Sequence, residues 1–398
     1  MKVYQTSRTW ISRIDANLYV DQNGMPIRDK EEPAMKISPI EGACVWDRRS
    51  VELDDLVVRI PPDCVEEALD AVRAVQARGL PLQQIHRASF PLPRFGEWLL
   101  QVRRELEVGR GHQLLRGLGL ESLTQEEIRT LYWGVCVHLG IPLSQSRNGE
   151  FLGEVRDVGV KKGEADSRAY RTGGALRFHM DRCDILGLLC VREARSGGLS
   201  MAVSSAAVHN EVLRRRPDLM ETLYQPFYFS RQSEQVEGER PWYAGSVYAV
   251  LDGKFMSQFS LTYIESAQRY PEVPRLTPSQ EEAIRLVATV AEELCITFQM
   301  QPGDIQLLNN HVMYHARTNY EDHADPARMR LLLRTWLTTP DSRRLPRERE
   351  EVWGSTEPGD VRGGVTPPTG PRFAFKDWTG AGWPENRHTP PLEPPWKS

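Results

Sequence analysis

The sequence lacks several of the features that assign a protein to a broad functional class. It has no basic excess, since 50 lysine and arginine residues face 54 acidic residues across 398 positions. A protein without such an excess lacks the electrostatic footprint of nucleic-acid binding. Its six cysteines are scattered and form no CxxC pair, which argues against a disulfide framework and is typical of buried thiols in a reducing compartment. We therefore expect a small-molecule partner and no nucleic acid.

Long apolar runs are absent as well. No stretch is apolar for long enough to cross a membrane, and the first residues lack the apolar core of a secretory signal. We expect a cytoplasmic protein with no membrane partner. The sequence shows no internal repeat, and it leaves the oligomeric state open, including a homo-oligomer.

What the sequence does contain is a helical first third followed by many short strands. Apolar residues recur at helical spacing over 63–78 and 95–107, and the segment 124–139 opens with a capping box of Thr124 and Glu127. A short strand is expected at 111–117, and later helices are expected from Ser205, near Leu219 and from Thr277. The strand-like stretches are 178–191, 199–204, 224–229, 246–251, 254–259, 295–300, 305–308 and 328–337. Strands on both sides of helices, joined by short turns, predict one barrel-like β core carrying helical supports.

This order predicts a single domain over residues 1–340. A helical N-terminal support would cover about 1–140 and the strand-rich core about 176–340. Between them, the segment 142–175 is rich in Gly, Asn, Ser and charged residues, which favours a lid loop. The last segment, 341–398, combines many prolines with four tryptophans, so we expect an extended arm packed on the core rather than a plain disordered tail.

A candidate metal site begins at residues 177–182. In a strand, residues i and i+2 point to the same face, so His179 and Asp181 would converge. A histidine, a carboxylate two positions on and a distant second histidine form the facial triad that binds non-haem Fe(II). The same spacing recurs at 209–211, in a predicted helix, and at 323–325, in a polar loop, where it does not bring the side chains together rigidly. The spacing alone leaves a purely structural His179 open.

Two further histidines lie directly after a predicted strand, His311 and His315. Either would complete the triad, and both would bind zinc if the segment were helical. Beyond them, Arg330 and Arg334 interrupt an otherwise apolar strand. Buried arginines need anionic partners, and a guanidinium binds a carboxylate through two parallel hydrogen bonds. A small dicarboxylate is one natural partner, and internal ion pairs are the other.

Taken together, these motifs resemble the Fe(II)- and 2-oxoglutarate-dependent oxygenases related to taurine dioxygenase and to the dioxygenase that degrades 2,4-dichlorophenoxyacetate. Each motif is weak alone, but five of them follow the family's order over roughly residues 110–340. The matching sequences are FHMD at 178–181, SGGLS at 196–200, PGD at 302–304, NHVMYH at 310–315 and RLLLR at 330–334.

The resemblance implies a mainly β fold with helical supports (α+β), built on a double-stranded β-helix, the jelly roll of cupin-like proteins. By position, His179, Asp181 and His315 would be the iron ligands and the catalytic centre. Arg330 would bind the distal carboxylate of 2-oxoglutarate, and Ser200 would hydrogen-bond the same co-substrate. The cofactors would be Fe(II), 2-oxoglutarate and O₂.

The implied reaction couples decarboxylation of 2-oxoglutarate, giving succinate and CO₂, to oxidation of a substrate C–H bond. The related halogenases have a small residue that does not bind iron at the position of Asp181. The carboxylate here therefore favours hydroxylation, or a radical rearrangement or ring closure, over halogenation. His311 departs from the family, which often has arginine there, so a taurine substrate does not carry over.

The substrate is expected to be small and polar, carboxylate-bearing or amino-acid-like. In the family the second arginine faces the substrate's acidic group, which assigns that role to Arg334. Polar residues in the lid segment and after the strands are further substrate-binding candidates, although solvated loop positions explain them equally well: Gln145, Arg147, Asn148, Arg156, Arg182, Tyr228 and Arg231. Two alternatives remain, a zinc hydrolase on the same ligands, although HExxH is absent, and a non-catalytic binding protein of the same fold.

Overall fold

The computed structural model of the chain describes residues 37–159 and 172–384. Its residues from Pro39 onward belong to one compact unit. Part of the expected lid, 160–171, and the end of the expected arm, 385–398, lie outside the described residues. In the described part of the chain, no helix is long and apolar enough to span a bilayer.

Three long helices precede most of the strands: α1 Pro62–Ala77, α2 Pro93–Val108 and α3 Gln125–Leu139. The first two begin with proline, whose missing N–H and fixed φ suit the first helical turn. For α3 the expected capping box is confirmed, since the Thr124 hydroxyl accepts the Glu127 N–H and the Glu127 carboxylate accepts the Thr124 N–H. The apolar faces of these helices share one buried cluster with the largest sheet.

Strands make up most of the rest of the described chain. In chain order they are β1 Val57–Arg59, β2 His112–Arg116, β3 Ile141–Leu143, β4 Gly153–Val155, β5 Leu176–His179, β6 Ile185–Arg192, β7 Ser196–Gly197, β8 Ser200–Ser204, β9 Pro226–Ser230, β10 Trp242–Ser246, β11 Tyr248–Leu251, β12 Lys254–Ser257, β13 Ile296–Phe298, β14 Ile305–Asn309, β15 Met313–Arg317, β16 Tyr320–Glu321 and β17 Leu331–Thr338.

Two of the sheets position the candidate site. The larger has seven strands in the order β1-β2-β14-β6-β17-β3, with β4 also paired to β17. The smaller has four antiparallel strands in the order β13-β8-β15-β5. The other strands form two-stranded pairs, β9 with β10, β11 with β12, and β7 with β16. The predicted hairpin between β11 and β12 is confirmed, with Asp252 and Gly253 at φ +51° and +72° as a tight hairpin turn requires.

Five more helices complete the described fold: α4 Ser205–Arg215, α5 Met220–Leu223, α6 Leu261–Ala267, α7 Pro278–Leu294 and α8 Glu350–Trp353. The capping box expected at the start of α7 is present between Thr277 and Gln280. The described residues thus combine many strands with eight helices, which confirms an α+β fold at that level.

The segment 142–175 is not irregular throughout, contrary to expectation. Strand β3 overlaps its start and β4 lies inside it, and both pair antiparallel with β17. Each has only three residues, too few to show a hydrophobic period. Their extended conformation comes from pairing with a strand 177 to 197 residues downstream, which no local signal reports.

The C-terminal segment, meaning the described residues 341–384, contacts the rest of the unit at several points. Trp378 and Trp383 pack edge to face at 5.7 Å in a small buried cluster that includes the first residue of β3. The fully buried Arg362 donates to Asp184 Oδ1 across 3.0 Å. These contacts connect the segment to the strands next to the candidate site.

Candidate metal centre and the cavity beside it

The candidate ligands come from two neighbouring strands of the smaller sheet. His179 ends β5, Asp181 follows just past the end of that strand, and His315 is the central residue of β15. Because β15 pairs with β5 so that His315 lies opposite His179, the two rings face each other with centroids 4.1 Å apart. One potential ligand atom from each of the three residues lies within 4.8 Å of the others.

The Asp181 carboxylate lies between the two imidazoles. Its Oδ1 is 3.9 Å from His179 Nε2 and its Oδ2 is 3.7 Å from His315 Nε2. His179 Nδ1 lies 2.9 Å from the carbonyl oxygen of Arg177, and because a carbonyl only accepts, Nδ1 must donate. This contact leaves the lone pair of His179 Nε2 free to bind a cation.

The electrostatics of the three side chains suit a cation. Burial raises the pKa of Asp181, but Arg334, the two histidines and the Trp336 indole outweigh it and hold the pKa below its ordinary value. Burial, with a smaller contribution from the neighbouring His179, lowers the pKa of His315 to about 3. At neutral pH His315 is therefore uncharged and Asp181 is ionised. A carboxylate and imidazole nitrogens in this arrangement fit a divalent metal of the Fe(II) type.

A second group of buried residues lies around the cationic side chain of Arg330. Its guanidinium is buried with Nη1 making no hydrogen bond to any described residue, and it lies 5.1 Å from the centroid of the Tyr320 ring. Gly198, at φ +68°, admits this side chain, because a Cβ there would be 3.1 Å from Arg330 Nε. Ser200 is buried in β8, where it pairs with Arg317 of β15.

Sequence reasoning missed Arg317. It lies two residues after His315 on the same strand, and its guanidinium is 4.6 Å from the Tyr320 ring centroid. Burial, followed by the nearby charge of Arg330, lowers the pKa of Arg317 to about 10. The i, i+2 rule that joined His179 with Asp181 would have found it. Two buried cations thus lie beside one aromatic ring, and Arg317 Nη2 donates to the Thr172 carbonyl across 2.8 Å.

Arg334 lies on β17 next to the candidate ligands. Its Nε donates to Gln145 Oε1 across 2.6 Å, and its Nη1 is 4.0 Å from Asp181 Oδ2. Gln145 also donates to the backbone oxygen of Arg334 across 2.8 Å, so the two side chains are held as a pair. Arg330 and Arg334 contact different groups.

One cavity has Asp181 in its wall and is called the Asp181 cavity below. Of the predicted substrate-binding residues, the wall includes Gln145, Arg182 and Arg231. Asn148 is exposed and Tyr228 packs against Trp242 at 5.3 Å, and both lie outside this wall. From β9 it is Phe229 that faces the cavity, because successive strand residues point to opposite sides.

The other histidines considered as ligands are engaged elsewhere. His311 Nε2 lies 2.8 Å from Asp184 Oδ1, and its ring stacks on Trp353 at 5.4 Å. His209 is buried in α4 with Nε2 2.9 Å from the Tyr224 hydroxyl. His323 is a half-buried loop residue. Among the described residues, only His179, Asp181 and His315 bring three potential metal ligands together.

A family model described as taurine catabolism dioxygenase TauD, TfdA family matches residues 77–336. The chain belongs to this family. The TauD/TfdA match covers all three candidate ligands, Arg330 and Arg334, and it ends before the C-terminal segment.

Similar curated proteins extend the comparison. FR-33289 synthase from Streptomyces rubellomurinus is 29% identical over 320 residues, covering 77% of this chain and 93% of the relative. The taurine hydroxylase-like protein SAT17 from Stachybotrys chartarum is 29% identical over 292 residues, covering 71% of this chain and 74% of the relative.

Solved structures share the fold at lower identity. An asparagine oxygenase in complex with Fe(II), 2S,3S-3-hydroxyasparagine and succinate has a TM-score of 0.57 at 17% identity, covering 74% of this chain and 98% of that one. The non-heme iron oxygenase OrfP in complex with Fe and alpha-ketoglutaric acid has a TM-score of 0.55 at 14% identity, covering 76% and 98%. At these low identities, the two structures show that this TauD/TfdA chain shares their fold.

Proposed function

We propose that this chain is an Fe(II)- and 2-oxoglutarate-dependent oxygenase. It would couple decarboxylation of 2-oxoglutarate, giving succinate and CO₂, to oxidation of a C–H bond in a small polar substrate. The observation that carries the proposal is the cluster of His179, Asp181 and His315, together with the buried, cationic Arg330 directly before β17. Membership of the TauD/TfdA family supports it.

The proposed metal site uses His179, Asp181 and His315 as its protein ligands, a set that leaves coordination positions open on non-haem iron. When bound, the iron supplies the activation of O₂ that, with 2-oxoglutarate as co-substrate, oxidises the substrate C–H bond. The chain's own part is to orient the ligands. The Arg177 carbonyl fixes the ring of His179, and the Trp336 indole N–H holds Asp181 Oδ2 across 3.0 Å.

The co-substrate would bind between the ligands and Arg330. Because Arg330 Nη1 has no hydrogen-bond partner among the described residues, it has donors available for the distal carboxylate of 2-oxoglutarate. Ser200 would add a hydroxyl donor. Arg317 adds a second cation to the same pocket, which favours a doubly charged co-substrate over a monoanion.

The substrate would be carboxylate-bearing or amino-acid-like, and its outcome would be hydroxylation, rearrangement or ring closure. Support comes from the names of the similar structures, an asparagine oxygenase and an oxygenase bound to (3S)-hydroxy-L-Arg. Arg334 is the proposed contact for the substrate's acidic group, because it lies 4.0 Å from Asp181 Oδ2 and hence beside the metal ligands. Arg182 and Gln145 line the Asp181 cavity, and Gln145, which accepts from Arg334 Nε, connects that wall to Arg334.

The proposal includes the architecture inferred from sequence. The seven-stranded sheet, antiparallel except for its β1–β2 pair, and the antiparallel four-stranded sheet would be the halves of a double-stranded β-helix. Residues 1–340 would be the oxygenase domain and 341–398 an arm on it. A lid role for 142–175 stays a prediction. Its described part is anchored by β3 and β4 pairing with β17.

Metal analysis combined with a 2-oxoglutarate consumption assay tests the proposal. The full chain, reconstituted with Fe(II), should bind about one iron and convert 2-oxoglutarate to succinate, slowly even without substrate. A protein that binds zinc in preference and consumes no 2-oxoglutarate would favour a hydrolase. One that binds neither iron nor 2-oxoglutarate would be a non-catalytic member of the fold.

A further inference from the structure

The C-terminal segment contributes a buried arginine to the Asp181 cavity. Arg349 is the last residue of a short 3-10 turn, Arg347–Arg349, and its side chain lines the same cavity as Asp181. It lies beyond residues 77–336, the part of the chain that matches the family. Its role therefore does not follow from the family motifs.

Arg349 differs from the other buried arginines of this segment because, among the described residues, no carboxylate forms an ion pair or hydrogen bond with it. The exposed Glu348 next to it in sequence acts on it only through space. Arg343 donates to Glu107 Oε2 across 3.0 Å, and Arg362 donates to Asp184 Oδ1 across 3.0 Å. Arg349 is 2% exposed, and its Nε and Nη2 are buried without a hydrogen-bond partner in the described chain. A buried charge without a partner costs several kcal/mol, so its position on a cavity wall calls for a ligand that supplies the anion.

The other charged residues of the cavity wall have partners of their own. Arg182 and Arg231 also line it, and the acidic residues in the wall are Asp181 and Glu234. Asp181 is the candidate metal ligand, and Glu234 accepts the backbone N–H of Arg147 across 3.0 Å. Arg231 pairs with Glu351 at 3.1 Å and with Glu239 at 3.6 Å. It is therefore Arg349, together with the divalent metal that Asp181 would bind, that leaves this wall short of negative charge.

Arg349 stays charged in this setting. Burial lowers its pKa to about 10, which still leaves the guanidinium protonated at neutral pH. The same wall contains three aromatic residues, Phe229, Tyr243 and Trp353. A cation beside aromatic surfaces suits a ligand with an oxyanion at one end and an apolar or amide-like body.

We propose that Arg349 binds an oxyanion of the substrate, a carboxylate, sulfonate or phosphonate group, and so determines which substrates this chain accepts. The inference rests on the proposed function, because it takes the Asp181 cavity as the place where substrate meets the metal. Arg349 is distinct from Arg330, assigned to the co-substrate, and from Arg334. The site would belong to this chain's C-terminal segment rather than to the family's shared motifs.

Binding of small oxyanions tests the proposal. The full-length protein, loaded with Fe(II) without O₂ and saturated with 2-oxoglutarate to fill the Arg330 pocket, is titrated with acetate, methanesulfonate or methylphosphonate by calorimetry. At least one of these probes should bind the wild type, and the strongest identifies the class of anion. Arg349→Met should weaken that binding at least tenfold while iron content and 2-oxoglutarate affinity persist.

Two further variants make the test specific. Arg347→Met removes the same charge from the same turn at an exposed position, so it should bind the probes as the wild type does. Arg349→Lys keeps a point charge but loses the two-pronged geometry of the guanidinium, so it should give an intermediate affinity. It decides the question if Arg349→Met does not fold, since an unchanged affinity in Arg349→Lys would then overturn the proposal.

The melting temperature separates a binding role from a structural one. Removing a buried charge that has no partner should leave the probe-free melting temperature of Arg349→Met equal to or above that of the wild type. The proposal is overturned if no probe binds the wild type, or if Arg349→Met binds as tightly as the wild type. A wild type that binds neither iron nor 2-oxoglutarate would instead reject the proposed function. Failure of the proposed function and failure of the Arg349 proposal therefore give different results.

Discussion

Trp336 donates its indole N–H to Asp181 Oδ2 across 3.0 Å. The donor lies on β17 of the seven-stranded sheet, whereas the acceptor follows β5 of the four-stranded sheet. Arg334, two residues before Trp336 on the same face of β17, reaches the same carboxylate. The larger sheet therefore positions the central ligand of a site whose histidines belong to the smaller one.

Trp336→Phe should weaken iron binding without removing a ligand. Loss of the indole donor leaves Asp181 Oδ2 freer to rotate and removes one of the contacts that lower the pKa of this carboxyl. Partners that orient metal ligands typically contribute about 10- to 100-fold in metal affinity, and we expect the lower end of that range. Titration of the metal-free protein with Fe(II) measures it.

Trp378→Phe is the matched control for that experiment. Its indole N–H donates to the Gly359 carbonyl across 2.7 Å within the C-terminal segment. The control therefore loses an equivalent hydrogen bond away from the ligands and should keep the iron affinity of the wild type. Equal losses of affinity in both variants would show that Trp336 acts through general stability.

Alanine substitution of the histidines should separate ligands from structural residues. His179→Ala and His315→Ala should lose iron and 2-oxoglutarate turnover. His311→Ala should keep iron but lower the free energy of unfolding by about 1–3 kcal/mol, because it leaves the buried Asp184 short of one partner. His323→Ala should change neither property. Loss of iron from His311→Ala together with its retention in His315→Ala would reverse the ligand assignment.

The contrast between His311 and His315 shows what sequence reasoning settled and what it left open. Local signals correctly predicted the helices that begin with capping boxes and the long apolar strands β6 and β17. They left two candidate histidines, because choosing between them requires the register of β15 against β5. That pairing brings together residues more than 130 positions apart, and no local pattern encodes it.

The same reason explains the residues that sequence reasoning overlooked. Arg349 lies among charged residues in a segment expected to pack on the core, and nothing in its local sequence distinguishes it from the exposed Arg347. It is buried in the wall of a cavity that Phe229 and Tyr243 also line. Asn148 is predicted to bind substrate because it is a polar residue in the expected lid segment, and it is exposed. Residue type indicated the chemistry of the site, while tertiary packing determined which polar residues enter it.

Arg330, directly before β17, and Arg334, within β17, should respond in opposite ways to substitution. Arg330→Ala should weaken 2-oxoglutarate binding strongly, because Arg330 would bind the distal carboxylate. Arg334→Ala should raise the substrate KM and uncouple succinate formation from product formation, with 2-oxoglutarate affinity nearly unchanged. Steady-state kinetics with succinate and product quantified separately measure both effects.

An equal loss of 2-oxoglutarate affinity in Arg330→Ala and Arg334→Ala would assign both arginines to the co-substrate. Arg317→Gln extends the comparison. Because Arg317 shares the pocket with Arg330, its loss should also weaken 2-oxoglutarate, by less than Arg330→Ala does. The substrate KM should stay unchanged in that variant.

The stability of the fold should decrease in mild acid because of buried histidines outside the candidate metal centre. His138, 4% exposed on α3, lies with Nε2 2.8 Å from the Phe90 carbonyl, and burial lowers its pKa to about 4. The unfolded chain takes up the proton near pH 6.5, whereas the folded chain resists it until about pH 4. This contribution to stability is complete above pH 6.5 and is lost as the pH falls toward 4, by about 1.4 kcal/mol per unit.

His138→Gln should make the free energy of unfolding less sensitive to pH across that window, because unfolding of the variant takes up about one proton fewer. Glutamine can still donate to the Phe90 carbonyl but does not titrate, so it removes the proton uptake and retains the main contact. Urea unfolding at pH 7.5, 6 and 5 for both proteins measures the difference. His112, whose pKa burial lowers to about 3, adds a contribution of the same sign in both proteins, so some acid sensitivity should remain in the variant. Parallel pH profiles for the two proteins would mean that His138 titrates alike in the folded and unfolded chains.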